Sequence, residues 1–269
     1  MSQRTFVRAI ALSAAGATAL FAAPAAFAAT GSAHTASARQ ITAAIARTES
    51  HALRGRSNIH GTTVESTNWS GYAATGSDGA YTSVSASWTQ PSVTCSGRGD
   101  YYSAYWVGLD GYSNSALEQT GTEADCIGGT AEYGAWWEVL PAAETSYSNT
   151  VEPGDAMSAS VTYNGNGDFT MTLSDATQNW TESTTHAGSS GYENSSAEVI
   201  AEAPEVNGSI AKLADFGSVD FTATDANGAA MSGDSPTAIE MVNSRGTDVR
   251  ADPGAISSSG FVDTWEHSN

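Results

Sequence analysis

The chain has 269 residues, with 29 Asp and Glu against 10 Lys and Arg; its formal charge is −19 although only 14% of its residues are charged. Hydrophobic residues at 40% and seven Trp supply enough apolar surface for a sizeable core, which excludes a disordered acidic tail. The negative balance argues against nucleic acid or an anionic membrane as partner, and two cysteines are too few for a disulfide-dense miniprotein or a Cys-rich zinc module.

In chain order, residues 1–28 read as a secretory signal. Arg4 and Arg8 precede an Ala-rich apolar run from Ile10 to Phe27, and Ala26-Phe27-Ala28 is a small-x-small cleavage site. A transmembrane anchor is the alternative, but the run is weakly hydrophobic and contains Pro24. The mature protein is therefore expected to be secreted, without membrane contact once the signal is removed. Residues 29–63 carry Arg39, Arg47, Arg54 and Arg56, the histidines His34, His51 and His60, and the single acid Glu49, with no aromatic Trp, Tyr or Phe. Ile41, Ala44, Ile45 and Thr48 recur at helical spacing, which predicts a short helix in part of the segment. It reads as a flexible linker or, more sharply, as a basic pro-segment. Residues 64–269 hold all seven Trp, all ten Tyr, 28 of the acids and only four bases, Arg98, Lys212, Arg245 and Arg250. That length suits one domain, expected as a monomer, and the basic segment before it reads as its electrostatic partner.

The domain is a series of short β-rich runs separated by turn residues. Strands are predicted at Tyr81–Trp88, Tyr101–Leu109, Gly134–Leu140, Ala156–Tyr163, Phe169–Leu173, Ser195–Ala201, Val219–Thr224, Ala238–Asn243 and Phe261–Trp265. Asn164-Gly-Asn-Gly-Asp168 marks a hairpin, because Asn and Gly tolerate positive φ. Many strands with Gly, Asn and Ser turns indicate an antiparallel sandwich or barrel. Cys95 and Cys126 are expected to form a disulfide in a secreted chain. Asn68, Asn179, Asn194 and Asn207 each open an N-x-Ser/Thr sequon.

Elimination narrows the chemistry. The domain's histidines, His186 in a Thr/Gly/Ser-rich loop and His267 near the end, read as exposed surface residues. There is no Gly-x-Ser-x-Gly elbow, no His-Glu-x-x-His and no Asp-Thr/Ser-Gly pair, which argues against a Ser-His-Asp triad, a catalytic zinc and a pepsin-like dyad. No metal or cofactor is expected; carboxyl, amide and aromatic groups remain. On strands, alternate residues share a face, so Leu117 points with Gln119, Trp136 with Glu138, and Glu198 with Ile200 and Glu202. Taken singly, each has a plainer reading: a solvated carboxylate face, a strand amide or a core Trp pair.

Together these segments resemble the glutamic peptidases, or eqolisins. The resemblance runs through Val64-Glu-Ser-Thr-Asn-Trp-Ser-Gly71, Trp106-Val-Gly-Leu-Asp-Gly111, Gln119-Thr-Gly121, Trp136-Trp-Glu138 and Ala197-Glu198, in order and with similar gaps. It implies an all-β, concanavalin-like antiparallel sandwich of two bent sheets with a groove on one face. It also implies a secreted, acid-active, pepstatin-insensitive endopeptidase acting on proteins or peptides; separately, the charge split suggests that the basic residues 29–63 serve as its intramolecular inhibitor. The family's catalytic Gln falls on Gln119, stabilising the oxyanion, and its catalytic Glu on Glu198, general base and then acid toward water and leaving amine. Trp106, Asp110, Trp136 and Glu138 match supporting groove residues. Glu123 stands where fungal members carry Asp, and Gly134 where they commonly carry another. Two other readings are a glycoside hydrolase using Glu138 and Glu198 and a carbohydrate-binding module built on Trp106 and Trp136.

Overall fold

The structure is a computed structural model that describes residues 54–58 and 61–269. The expected signal over 1–28, the predicted helix around 41–48 and most of the basic segment lie outside the described residues.

Short alternating runs that end at Gly, Asn or Pro become strands. In chain order they are β1 (Arg54–Asn58), β2 (Gly61–Ser66), β3 (Trp69–Thr75), β4 (Ser83–Thr89), β5 (Ala104–Leu109), β6 (Glu118–Ile127) and β7 (Thr130–Val139). There follow β8 (Thr145–Ser146), β9 (Ala156–Tyr163), β10 (Asp168–Asp175), β11 (Trp180–Ala187), β12 (Ser196–Glu202), β13 (Glu205–Val206) and β14 (Ser209–Ile210). The last are β15 (Ser218–Ala226), β16 (Ala229–Ala230), β17 (Thr237–Val242), β18 (Val249–Pro253) and β19 (Gly260–Trp265). A single 3-10 turn, Met231–Asp234, is the only helical element among the described residues.

The ladders form two layers. The first runs β8-β7-β6-β5-β12-β3-β17, and the second β11-β10-β9-β4-β15-β19-β18-β17. β17 belongs to both: Thr237–Ile239 pairs with β3, and Met241–Val242 with β18. Its other edge takes β2 in a parallel ladder, and β1 folds back on β2. The expected boundary at residue 63 thus falls inside a paired strand.

Alternation sets the core. Tyr72, Tyr105, Val107, Leu109 and Val199 from the first layer meet Trp88, Val161, Met171, Leu173 and Phe221 from the second, all buried in one cluster. β10 reads buried at every second residue, as a half-exposed strand should. β5, β6 and β12 break that rule, being buried on both faces. Their outer face carries a second apolar cluster that includes Trp69, Trp106, Leu117, Trp136 and Ile200. A layer whose central strands hide both faces has something other than plain solvent-facing side chains on its outer surface, and this is where the site lies.

The nine predicted strands are all present, with ends shifted by up to a few residues. Several strands were not anticipated: β3, β6, β11, β18 and the β1–β2 hairpin. His186 was expected in a loop; it lies on β11, exposed, its ring 5.5 Å from that of Trp137. The Thr-rich run Trp180–Ala187 lacks an apolar face because β11 is an edge strand. The Asn164–Asp168 turn joins β9 to β10 as predicted, with Gly165 and Gly167 at φ 82° and 95°. Cys95 and Cys126 form a disulfide that ties the segment before β5 to the end of β6. Of the four sequons, Asn179 and Asn207 are exposed whereas Asn68 and Asn194 are buried.

Candidate active site

Strand register lines up the chemistry in rows on the outer face of the first layer. One row reads Ala73, Glu198, Gly108, Gln119 and Glu138 across β3, β12, β5, β6 and β7. The next reads Gly71, Ile200, Trp106, Gly121 and Trp136. The third reads Trp69, Glu202, Ala104, Glu123 and Gly134. Every residue expected in the site except Asp110 therefore sits on one patch, three residues deep, across five strands.

Gln119 and Glu198 are separated by one strand. With strands about 4.8 Å apart, their backbones lie about 10 Å apart, and the residue between them is Gly108. A methyl group at that position would come within 3.3 Å of Gln119 Cβ and 2.9 Å of the Trp106 ring. Leu117 Cδ1, also 2.9 Å from such a methyl, and the Trp106 ring occupy the place a side chain at 108 would need, so no third side chain of the row stands between Glu198 and Gln119. Sequence reasoning saw Gly108 as part of a motif but gave it no role, since nothing local distinguishes it.

Gln119 is buried, and its Nε2 donates to Glu138 Oε2 at 2.6 Å while Oε1 has no hydrogen-bond partner. An amide nitrogen has two hydrogens, so one remains for another acceptor. Glu198 is fully buried, and neither carboxyl oxygen makes a hydrogen bond of normal geometry. Burial pushes its pKa well above the ordinary value of 4.5; the Ser196 hydroxyl opposes this, and the charges of Asp110 and Glu118 add to it. The reading of Glu198 and Glu202 as a solvated face is corrected by this burial.

The third row supports the first two. Trp106 Nε1 donates to Glu202 Oε2 at 2.7 Å, and Asn68 Nδ2 reaches Glu202 Oε1 at 3.5 Å. Trp69 packs edge-on against Trp106 with ring centroids 5.0 Å apart. Trp106 and Trp136 are both buried floor residues. A Cβ at Gly134 would lie 2.4 Å from Glu123 Oε1. The longer Glu123 side chain thus occupies the space that a side chain at 134 would need, so the two departures from the family pattern are one coupled change.

Asp110 does not face the groove row; it clamps the loop that enters β12. At φ 67° it accepts from the backbone N–H of Glu193, Asn194 and Ser195, from Ser195 Oγ and from Asn114 Nδ2. Glu118, on the opposite face from Gln119, holds the same loop further upstream. Its Oε1 accepts from Ser189 N at 2.6 Å, and Ser189 Oγ donates to Leu140 O. Burial raises the Glu118 pKa to about 8, partly offset by the Ser189 N–H, with Asp110 adding to the rise. Sequence reasoning placed Glu118 on the other face without seeing this contact, because Ser189 lies 71 residues away.

A two-layer antiparallel sandwich with amide and carboxyl groups meeting on one face of its central strands defines a class of hydrolase. Residues 67–264 match the Peptidase A4 family. The chain belongs to that family, the glutamic peptidases or eqolisins, enzymes that hydrolyse peptide bonds. It is 32% identical over 194 residues to Aspergillopepsin-2 of Aspergillus niger, the match covering 62% of this chain and 67% of that one. Its fold is similar to scytalido-glutamic peptidase with a transition state analog inhibitor, with a TM-score of 0.64 and 25% identity, over 74% of this chain and 98% of the other. It is also similar to aspergilloglutamic peptidase from Aspergillus niger, with a TM-score of 0.52 and 27% identity over 62% and 99% of the two chains.

Proposed function

We propose that the chain is a secreted, acid-active endopeptidase, working as a monomer, in which Glu198 and Gln119 carry out the hydrolysis. The observation that carries this reading is the register that sets Glu198 and Gln119 in one row with only Gly108 between them, both Glu198 carboxyl oxygens and the Gln119 Oε1 being buried without a hydrogen-bond partner. Glu198 takes a proton from water as general base and returns it to the leaving nitrogen as general acid. Burial holds Glu198 neutral; water and peptide bound beside it donate hydrogen bonds that pull the pKa back down and generate the base. Gln119 cannot ionise. Its Nε2 keeps one hydrogen on Glu138 and offers the other to the developing oxyanion, while Oε1 accepts from the attacking water. Losing such a donor costs about 3–4 kcal/mol of transition-state stabilisation.

Acid operation is supported by the neutral carboxyls built into the fold: Glu198, Glu118 and Asp263 are all pushed up by burial. Secretion is supported by the Cys95–Cys126 disulfide, which persists in oxidising compartments. The glycoside-hydrolase reading needs two carboxyls about 5–9.5 Å apart across the bond. Glu138 and Glu198 are three strands apart, about 14 Å at the backbone, and a Glu138 oxygen is engaged by Gln119. Casein digestion at pH 3 tests the assignment. Gln119→Ala and Glu198→Gln are expected to abolish hydrolysis with folding intact, and pepstatin to have no effect; near-normal turnover by either variant overturns the dyad.

The basic segment 29–63 is the second part of the proposal: at neutral pH it lies across the acidic groove as an inhibitor. Its described end is anchored, since β1 pairs with β2 and β2 with β17. Acidification neutralises carboxylates and weakens the attraction, but His34, His51 and His60 gain charge first, so release belongs well below pH 5. The added segment should bind the mature domain at pH 7 and not at pH 3; equal affinity at both rules out the switch.

A further inference from the structure

A domain with 28 acids and four bases has little positive charge to place, yet three of the four bases line one cleft. Lys212, Arg245 and Arg250 surround a space of about 440 Å³, with Thr67, Asp248 and Asn269 also on its wall. Arg250 is the decisive member. It is only 4% exposed, and its guanidinium donates to three backbone carbonyls, Thr67 O at 2.9 Å, Ala211 O at 2.7 Å and Ser268 O at 3.0 Å. Nε is buried without a partner, and no carboxyl is among the guanidinium's acceptors. Burial alone lowers its pKa to about 10. A buried charge is normally matched by an opposite one, because desolvation otherwise goes uncompensated. Among the described residues no carboxyl accepts from the guanidinium, and the acidic side chain on the cleft wall, Asp248, bonds elsewhere.

The other two bases stand at the surface of the cleft. Lys212 is exposed, its Nζ 5.7 Å from the centre of the Tyr101 ring. Arg245 is exposed on the loop between β17 and β18, which Asn243 shapes by accepting from the backbone N–H of Arg245 and Thr247. Asp248, the carboxyl on the wall, is taken up within that loop by Asn243 Nδ2 and Thr247 Oγ1.

We propose that this cleft is a binding site for a tetrahedral oxyanion, a phosphate or sulfate group, with Arg250 at its base and Lys212 and Arg245 at its rim. It adjoins the groove: Thr67 lies on its wall, and the next residue, Asn68, contacts Glu202 in the third row. The oxyanion is either a free ion or a group borne by a substrate chain that runs out of the groove past Glu202. A phosphoryl group keeps a negative charge in acid where a carboxylate loses it; this preference over carboxylates rests on the acid-active reading above, whereas the site itself does not.

Sulfate and inorganic phosphate are titrated into the full chain at constant ionic strength, with chloride as balance, following heat and thermal unfolding. The expected result is saturable single-site binding that raises Tm, weakened at least tenfold in the Lys212→Ala/Arg245→Ala double variant, with dephosphorylated casein cleaved at the wild-type rate. A matched peptide pair, with and without phosphoserine beyond the Glu202 end of the groove, separates the two sources. A gain in kcat/KM confined to the phosphopeptide and lost in the double variant assigns the site to substrate; saturable ion binding without that gain assigns it to free ions. A response linear in salt, equal in chloride, or unchanged in the double variant overturns the proposal.

Discussion

Gln119 and Glu198 both keep unspent hydrogen-bonding capacity although buried, and they stand in one row with only Gly108 between them. A side chain at Gly108 would press on Leu117 Cδ1 and the Trp106 ring, each 2.9 Å from a Cβ there, and on Gln119 Cβ at 3.3 Å. Gly108→Ala is therefore expected to lower kcat/KM about 100-fold, since a displacement near 1 Å at a reacting centre costs that much, with the circular dichroism spectrum kept and Tm lowered because the buried Leu117 and Trp106 must shift. Preservation of activity in Gly108→Ala would mean that the reacting atoms do not meet there. Glu138 acts one step back, fixing which way the Gln119 amide points. Glu138→Ala leaves the amide free to rotate and should reduce kcat about 10–100-fold with KM changed far less, because the lost interaction matters in the transition state. Steady-state kinetics on one peptide separates the two parameters.

Among the elements, the segment from Ser189 to Ser195 controls how β12 enters the site. Two acids from the β5–β6 region hold it, Asp110 by three backbone N–H groups and Glu118 by one. Asp110→Ala strands these donors in a buried setting and should destabilise the fold by about 3 kcal/mol or more, read as a lowered urea midpoint with an unchanged m-value. A shift under about 0.5 kcal/mol would show that the loop is held by other contacts. The disulfide works on the neighbouring loop. Closing a separation of 31 residues is worth about 3–4 kcal/mol, so Cys95→Ser with Cys126→Ser is expected to lower stability by that order.

At the scale of the molecule, burial raises the pKa of the Glu118, Glu198 and Asp263 carboxyls. Glu118 titrates near 8 in the fold against an ordinary 4.5, and Asp263, buried between the layers with Ser70 Oγ donating to it, near 8 against 3.8. Below pH 4 both folded and unfolded states hold these protons, and the stability is fully present. Between about 4 and 8 only the folded state holds them, so each unit of pH removes stability, on the order of 4 kcal/mol per group across the window. Above 8 the loss is complete. Tm should therefore be highest in acid and fall toward pH 8, with Glu118→Gln and Asp263→Asn each flattening the fall and changing little at pH 3. A Tm that rises from pH 3 to pH 8 in wild type would contradict the burial of neutral carboxyls. The surface acts in the same direction, since 28 acids and four bases repel one another as they ionise.

Local pattern was sufficient for the fold class and for most strands, because period-two alternation and Gly/Asn turns are written in adjacent residues. It failed on β3, β6 and β11. Trp69–Thr75 and Glu118–Ile127 are rich in polar and small residues yet buried, which only their neighbours across the sheet explain. Trp180–Ala187 is polar and mostly exposed, so it never alternates strongly. The dyad residues were legible because their motifs occur in order along the chain. The row that joins Glu198, Gly108, Gln119 and Glu138 was not, since strand register sets it over separations of 11 to 90 residues. Acidity was likewise visible as a number. Which acids are forced to stay neutral depends on burial, a property that exists only once both layers have closed. The sequence by itself determined an acidic β-sandwich with glutamic-peptidase motifs. Tertiary structure alone decided which side chains share a space, because hydrogen-bonded strands bring distant residues to one spacing of about 4.8 Å and exclude the water that would otherwise equalise their charges.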